Sequence, residues 1–299
     1  MSDFLKHYQL VLTPLSPIHV GIGEDYEVTN YVIDDSFMYV FEPSRVALTE
    51  QQRQSLKSSA TDLLELQKFF KDNKDSFKPY AHHLVAVTSG IQQEYTKLLG
   101  QEKDNKALSQ LQIQRSAYES HTLNNFIPGS AIKGMIRTAV LEALSGNKPE
   151  LTLAQKADLS RKYTNFEKGL IGSFSSDAMR ALKVSDLSAQ NNFVASNIQF
   201  AINRKKNIGV PSHAPVVRIE SIVMGQYRAF TGTSVMQQFS YELGQRVNKP
   251  LEVLPRTIAK NMDLSSMAKA TNLYHYSRFL EEMKLLVALD CVDDNLSLI

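Results

Sequence analysis

The chain has 299 residues, of which 43% are hydrophobic and 21% are charged, a composition that predicts a soluble globular protein of one elaborated domain or two small ones. The formal net charge of +2 is too balanced to indicate nucleic-acid binding by itself. The single cysteine, Cys291, excludes an internal disulfide and a cysteine-based zinc site, and without a signal peptide or an apolar run of about 18 residues we expect a cytoplasmic protein with no membrane contact.

The first predicted strand covers residues 8–12, whose side chains alternate between two faces. It leads into His19 and the glycine pair Gly21 and Gly23, which we predict as a loop because glycine adopts backbone conformations that other residues resist. Such a loop presents N–H groups that a ligand can approach. The pair lacks the third glycine and the following helix of a dinucleotide site, and a loop without a ligand also explains it.

A β-hairpin is predicted next, with strands at residues 31–33 and 37–40. Its turn contains Asp34 and Asp35, and paired carboxylates are also candidates for a metal site or for catalytic acids. We favour the turn interpretation, because aspartate is common in tight turns. The sequence therefore predicts neither a metal site nor a catalytic residue here.

Residues 48–125 change to a helical pattern, with helices predicted at residues 63–70 and 92–99, and we interpret the region as a helical insertion between sheet elements. The insertion contains the adjacent His82 and His83. Neighbouring residues of a strand point to opposite faces, so these two histidines are not expected to share a metal ion or a proton.

A central helix is predicted from Ser130, a preferred N-cap residue that follows the chain-breaking Pro128 and Gly129. Apolar residues then recur at helical spacing and form one stripe: Ile132, Met135, Ile136, Ala139, Val140, Ala143 and Leu144. Lys133 and Arg137 lie off this stripe, one turn apart.

The start of this helix is a candidate phosphate site. A helix N-terminus leaves about four N–H groups unpaired and carries roughly half a positive charge, and glycines and two cations beside it favour an anion. Residues 126–183 also carry nine basic and five acidic side chains, a net charge of +4. A capped amphipathic helix with ordinary surface cations explains the same residues, whereas a P-loop is excluded because its terminal Gly-Lys-Ser/Thr is missing.

The second half of the chain mixes helices and strands. We predict a helix at residues 151–170, a turn and strand at 174–186, strands at 197–202, 216–219 and 227–231, and helices at 234–247 and 265–289. The segment with Arg204, Lys205 and Lys206 is either the tip of a projecting hairpin that reaches a phosphate backbone or a solvated loop. In the last helix we expect one buried apolar face: Leu273, Tyr276, Leu280, Met283, Leu286 and Val287.

Four segments carry a resemblance to known proteins: residues 19–23, 127–134, 180–186 and 220–225. In this order they resemble the RAMP superfamily of CRISPR proteins, and within it the subunit at the 3′ end of the guide RNA in type III-A Csm effector complexes. The segment Pro-Gly-Ser-x-x-Lys-Gly, which opens the central helix, is the most specific of these motifs.

The resemblance implies an α+β fold with a ferredoxin-like, RRM-type antiparallel sheet core, a helical insertion, a thumb-like hairpin and a helical C-terminal region. We expect the core at residues 1–190, with its insertion at about 48–125. Residues 191–299 are expected to hold the thumb hairpin, further strands and C-terminal helices, or a second, degenerate RRM-like domain. Family members usually finish with a glycine-rich segment, which this chain lacks, so we expect either a truncated chain or a different C-terminal architecture.

The implied function is that of a non-catalytic RNA-binding subunit that caps the backbone filament at the 3′ end of the crRNA and supports crRNA maturation and antiviral defence. The implied partners are crRNA, target RNA, the backbone subunits of the Csm complex and host nucleases that trim the crRNA, with no cofactor and no metal. Thr29 stands where the related backbone subunits have an aspartate that cleaves target RNA, so we expect no slicing.

The RNA contacts implied by the resemblance fall on these residues: His19, Gly21, Gly23, Ser130, Lys133, Arg137, Arg180, Lys183, Arg204, Lys205 and Lys206. One alternative is a metal-independent RNA endonuclease that processes crRNA precursors, in which His19 acts as general base or acid at the ribose 2′-hydroxyl. A second alternative is a protein-docking subunit with incidental RNA contact.

Overall fold

The computed structural model describes residues 5–100, 111–145, 167–168, 170–172, 177–190, 194–203, 216–237 and 263–289. The strands, in chain order, are β1 (Leu5–Leu12), β2 (Gly21–Tyr26), β3 (Tyr31–Asp34), β4 (Phe37–Phe41), β5 (Ala81–Val87), β6 (Ile113–Ser116), β7 (Leu182–Val184), β8 (Ser188–Ala189), β9 (Ser196–Ala201), β10 (Val217–Ile222) and β11 (Phe230–Gln237). The α-helices are α1 (Glu50–Ser59), α2 (Leu63–Asp72), α3 (Lys74–Phe77), α4 (Ser89–Leu99), α5 (Gly129–Ser145) and α6 (Leu264–Ala288). Within these ranges, no helix is both long and apolar enough to span a membrane.

The chain forms two compact units, and each is assembled from segments that are distant in sequence. The terminal unit comprises residues 1–12, 127–188 and 230–299, and the central unit comprises residues 13–126 and 189–229. The expected boundary near residue 190 is therefore one of four places where the chain passes from one unit to the other. The two units interleave along the chain instead of following one another.

The terminal unit contains an antiparallel sheet in which β11 lies between β1 and β7 and also pairs with β8. The first strand pairs with β11 over its whole length, from Leu5 opposite Gln237 to Leu12 opposite Phe230. Helices α5 and α6 pack against each other, and α5 packs on β7. Their shared core consists of these buried residues: Val140, Ala178, Met179, Ala181, Leu182, Met236 and Met267.

The central unit contains a seven-stranded sheet in the order β2-β6-β10-β9-β5-β4-β3. Its pairs β6–β10 and β5–β9 are parallel, so this sheet is mixed and not purely antiparallel as expected. The region 48–125 is not a helical insertion alone, because it supplies the internal strands β5 and β6. The helices predicted at 63–70 and 92–99 are confirmed as α2 and α4, and they supply Leu64, Ile91 and Leu98 to the core on this sheet.

Local sequence signals set several helix starts. Thr49 and Gln52 form a capping box at α1, and the Asp62 carboxylate accepts hydrogen bonds from the N–H groups of the first turn of α2. Asp263 caps α6 in the same way, by accepting from the Ser266 N–H at 2.9 Å. These caps satisfy donors that have no partner within the helix.

Other predicted elements differ from the observed ones in their bounds or in their type. The predicted strand at residues 227–231 begins only at Phe230, because Arg228 has a φ of 51° and lies in a turn. Residues 234–237 belong to β11 and not to a helix. The strands beside the basic tip are confirmed as the antiparallel pair β9 and β10, which continues to Ala201 opposite Val217. Both are internal strands of the sheet, but β5 pairs only with Asn197 and Ile198 of β9. The tip residues Arg204, Lys205 and Lys206 lie outside the described residues, as do residues 151–166 and 238–247.

The apolar face predicted for the last helix is not buried. Leu273 is 77% exposed, Tyr276 61%, Leu280 43% and Val287 63%. Met267, in the first turn, is buried in the core with α5. Helical spacing showed that these residues share a face, but spacing carries no information about what covers that face.

Candidate nucleic-acid interface

The start of α5 is already occupied by acceptors from the protein itself. The helix begins at Gly129, so Ser130 is its second residue and not the N-cap that we predicted. The Gly129 N–H donates to the Asp186 carboxylate at 2.8 Å, and the Ala131 N–H donates to the Pro128 carbonyl at 2.9 Å. The Asp186 carboxylate thus sits where a phosphate would meet the first N–H of the helix.

Gly129 serves close packing of the backbone and not the approach of an anion. A Cβ at this position would lie 2.5 Å from the carbonyl oxygens of Val184 and Ser185, which is closer than real Cβ contacts allow. Gly134, one turn further along α5, is exposed, and no described atom lies within 4 Å of the position that its Cβ would take. The open glycine of this helix is therefore Gly134.

Arg137 is paired with acids of its own chain. Its guanidinium lies 2.6 Å from the Asp177 carboxylate and 3.7 Å from that of Glu167. Asp177 also caps the short 3-10 helix Ala178–Ala181, by accepting from the Met179 N–H at 2.7 Å. This geometry ties α5 to the following segment, so much of the charge of Arg137 is neutralised within the protein.

Lys133 and Lys183 are brought together by the fold. Lys133 is half-buried on α5, and burial, followed by the nearby charge of Lys183, lowers the pKa of its ammonium group. Lys183 is exposed on β7. Neither lysine has a carboxylate within ion-pair distance in the part of the chain that is described. Arg180 is exposed at the end of the 3-10 helix that precedes β7.

The glycine pair of the first motif lies in a strand and not in a loop. Gly21 and Gly23 belong to β2, an edge strand of the central unit's sheet. Gly23 has a φ of 78°, and the register of β2 against β6 shifts between Gly21 and Asp25. Such a shift marks a β-bulge, and residues 21–25 are all exposed. Among the described strands β2 has a partner on one side only, and such an edge presents N–H and C=O groups with which another chain can pair.

His19 packs over this edge. Its Nδ1 lies 2.7 Å from the backbone carbonyl of Glu220, and its Nε2 lies 3.0 Å from the position that a Cβ on Gly21 would take. The next residue, Val20, donates its N–H to the Ser116 hydroxyl at 3.2 Å. His19, Gly21 and Gly23 are therefore held together in the central unit, whereas Lys133 and Lys183 belong to the terminal unit.

Glu220 was not among the site residues predicted from the sequence, although it begins the motif at residues 220–225. Its side chain is 1% exposed and accepts hydrogen bonds from the Ser116 N–H, the Asn125 amide and the Ser196 hydroxyl at 3.1, 3.1 and 3.0 Å. Burial, and then the negative charge of Glu220, raise the pKa of Tyr26. A carboxylate in the apolar run of β10 was the available signal, since such a group is rarely buried without partners.

Further polar side chains of the central unit lie around this carboxylate and around Tyr26. Burial lowers the pKa of His83, while the charge of Glu220 opposes that shift. The Arg115 guanidinium stacks 3.3 Å from the Tyr118 ring centroid and 4.9 Å from that of Tyr26. The charge of Glu220 therefore acts on both Tyr26 and His83 in the central unit.

Asp34 is a buried ion-pair partner and not only a turn residue. Its carboxylate contacts the ammonium groups of Lys71 at 2.6 Å, Lys74 at 2.9 Å and Lys78. Turn chemistry accounts for the next residue, Asp35, whose φ of 47° lies in the left-handed region. No sequence motif linked Asp34 to these lysines, because the separation from Asp34 is 37 residues for Lys71 and 40 residues for Lys74.

Residues 11–243 of the chain match the family profile of the RAMP superfamily. The chain belongs to the RAMP superfamily. The membership that the four motifs suggested is thus confirmed.

Among individual RAMP proteins, a curated relative is the CRISPR system protein Csm5 of Methanocaldococcus jannaschii, 25% identical over 266 residues. That match covers 84% of this chain but only 57% of the relative, so the chain spans little more than half of the length of that protein.

Two solved structures are similar in fold. The crystal structure of Csm5 from T. onnurineus aligns with a TM-score of 0.59 at 14% identity, covering 95% of this chain and 83% of that chain. A chain in the cryo-EM structure of a Csm–crRNA–target RNA ternary complex of a type III-A CRISPR–Cas system aligns with a TM-score of 0.50 at 15% identity, covering 92% and 76%. These similarities support the predicted α+β RAMP fold.

Proposed function

We propose that this RAMP protein is a non-catalytic, RNA-binding subunit of a type III-A Csm effector complex that binds the crRNA and caps the backbone filament at its 3′ end. The similarity to Csm5 supports membership of a Csm complex. The observation that carries RNA binding is the pair Lys133 and Lys183, two neighbouring cations without a carboxylate partner among the described residues.

The surroundings of this pair suit a phosphate backbone. Lys133 is partly desolvated, and a second cation beside it makes its charged form less favourable, which a bound phosphate would reverse. Gly134 follows Lys133 on the exposed side of α5, and because glycine has no side chain a ligand can come close to the helix backbone there. We therefore propose that the phosphate contacts Lys133 and Lys183 and not the N-terminus of α5, where it was first predicted. Arg137 remains a proposed RNA contact, but a weaker one.

The proposal extends to the other expected contacts and partners. His19, Gly21 and Gly23 form a second contact on the β2 edge, and Ser130, Arg180 and the basic tip at Arg204, Lys205 and Lys206 remain proposed RNA contacts. The proposed partners are the crRNA, target RNA, backbone subunits of the Csm complex and nucleases that trim the crRNA during maturation.

The test is the salt dependence of RNA binding by the full chain. For single strands, log K falls with log salt with a slope of about −0.7 for each neutralised phosphate. Replacing both Lys133 and Lys183 by Ala should therefore make the slope shallower by up to roughly 1.4 and weaken binding of a single-stranded crRNA mimic. The matched control replaces Lys269 and Lys284, two exposed lysines of α6, and should leave the slope unchanged. Equal slopes for the two double variants would remove the lysine pair from the proposal.

One observation favours the endonuclease alternative. His19 donates from Nδ1 to a carbonyl, so its neutral ring keeps a basic Nε2, which is the form that a general base needs. Incubating the protein with precursor RNA in EDTA separates the two functions. Products with 2′,3′-cyclic phosphate ends that disappear in His19→Ala would show that the protein is an endonuclease. RNA that stays intact would support the non-catalytic role.

A further inference from the structure

The imidazole of His19 is fixed in one tautomer. Its Nδ1 lies 2.7 Å from the Glu220 carbonyl oxygen, and a carbonyl can only accept a hydrogen bond. Nδ1 therefore carries the proton, and in the neutral ring Nε2 is left with its lone pair as an acceptor.

Nε2 lies beside an edge that another chain can approach. It is 3.0 Å from the position of a Cβ on Gly21, so a larger residue there would press against the ring. Gly21 and its neighbours up to Asp25 are exposed on the edge strand β2. Among the hydrogen bonds of the described residues, Nε2 of His19 takes part in none.

The carbonyl that fixes the ring is itself held in place. The Glu220 side chain binds Ser116 on β6, Asn125 and Ser196 on β9, and Ser116 in turn accepts from the Val20 N–H beside His19. Ile18 and Ile222 also exchange backbone hydrogen bonds at 3.1 and 2.8 Å. Glu220 is thus a positioning residue, and the orientation of His19 is set before any ligand binds.

An acceptor nitrogen needs a hydrogen-bond donor on its ligand. Along a nucleic-acid backbone the phosphate oxygens only accept, and the donor is the 2′-hydroxyl of ribose, which DNA lacks. We infer that Nε2 of His19 accepts a hydrogen bond from a ribose 2′-hydroxyl and makes His19 a determinant of RNA over DNA. The inference rests on the proposed function only in that the ligand is a single-stranded RNA.

The experiment compares three oligonucleotides of one sequence: RNA, DNA and 2′-O-methyl RNA, which keeps the oxygen but loses the donor. One neutral hydrogen bond corresponds to about a two- to tenfold change in Kd. His19→Ala should reduce the preference for RNA over both analogues by about that factor while leaving the affinity for DNA unchanged. Gly21→Ala, which displaces the ring but keeps it, should reduce the preference in the same way. His121→Ala, an exposed histidine of the same unit, is the control and should change nothing.

Other outcomes overturn the inference. An unchanged RNA preference in His19→Ala would exclude a 2′-hydroxyl contact, and equal loss of affinity for all three oligonucleotides would assign His19 to a phosphate or to folding. Loss that depends on base identity and persists with DNA would assign the donor to a base. Failure of the lysine variants to change the salt slope, with the RNA preference intact, would defeat the proposed lysine site and leave this inference standing.

Discussion

At the scale of single residues, long-range partners give otherwise similar side chains different roles. Lys133 and Arg137 lie one turn apart on α5 and look equivalent in the sequence. In the structure Arg137 forms an ion pair with Asp177, whereas Lys133 has no ion-pair partner among the described residues. The charge of Lys183 lowers the pKa of Lys133, and that of Asp177 opposes this shift. Asp34 and Asp35 are likewise neighbours, but only Asp34 is buried.

Asp34 should contribute to stability in a pH-dependent way. Burial alone would raise its pKa, but hydrogen bonds from Lys71, Lys78 and Lys74 outweigh that effect and hold the pKa well below its usual range. The stabilisation is therefore complete above the ordinary aspartate pKa of about 4 and is lost as the pH falls through the folded value.

We expect Asp34→Asn to lower the free energy of unfolding at pH 7 by about 2 kcal/mol, less than for a fully buried pair because the lysines are partly exposed. The control Asp35→Asn, at a 77% exposed side chain, should change it by less than about 0.5 kcal/mol. Urea unfolding at pH 7 and pH 2.5 measures both. A difference between Asp34→Asn and wild type that is as large at pH 2.5 as at pH 7 would contradict the ion-pair explanation.

At the scale of elements, the motif at the start of α5 combines close backbone packing with an open surface. The motif Pro-Gly-Ser-x-x-Lys-Gly contains two glycines with opposite surroundings. Gly129 lets the helix start approach the backbone at Val184 and Ser185, and Gly134 leaves an open surface beside Lys133.

Alanine substitutions should separate these two glycines. Gly129→Ala forces a Cβ to within 2.5 Å of two backbone carbonyls, and we expect a loss of about 1–3 kcal/mol in unfolding free energy. Gly134→Ala meets no described atom within 4 Å and should raise stability by about 0.5–1 kcal/mol, because alanine is the better helix former. Thermal and urea unfolding test both variants. Equal and small effects would show that the close approach at Gly129 is not tight.

The last helix shows the limit of periodicity as a guide to burial. A helix was predicted at residues 265–289, and the observed helix is Leu264–Ala288, because a long helical pattern is a local signal. The exposure of Leu273 and Tyr276 was not, since it depends on which other element lies against that face.

At the scale of the whole molecule, the pairing of β1 with β11 joins residues 5–12 to residues 230–237. Each compact unit therefore needs strands from both halves of the chain. In the central unit, β9 and β10 lie between β5 and β6, which come from residues 81–116. A sheet that lacks some of these strands would have unpaired strand edges, which expose backbone N–H and C=O groups.

A fragment of residues 1–190 should therefore not fold as an independent domain, although the sequence suggested a boundary there. It lacks β9, β10 and β11, so the central sheet loses two internal strands and β1 loses its partner. We expect the fragment to show no cooperative unfolding transition, whereas the full chain shows one or two. Calorimetry with circular dichroism decides this, and a cooperative transition in the fragment would contradict the interleaved architecture.

The sequence by itself determined the local structure and the family. Helices α2, α4 and α5, strand β1 and the β3–β4 hairpin follow from periodicity and turn chemistry, and the order of four short motifs identified a RAMP protein. These signals are local because each depends on residues within a few turns or one hairpin.

The tertiary structure decided which of these residues is available to a ligand. Asp186 reaches the start of α5 from 57 positions away, and the Glu220 carbonyl reaches His19 from 201 positions away. Hydrogen bonds and ion pairs act over a few ångströms in space, whatever the separation in sequence, so the single sequence could propose the cations and glycines but could not show which of them the protein uses for itself.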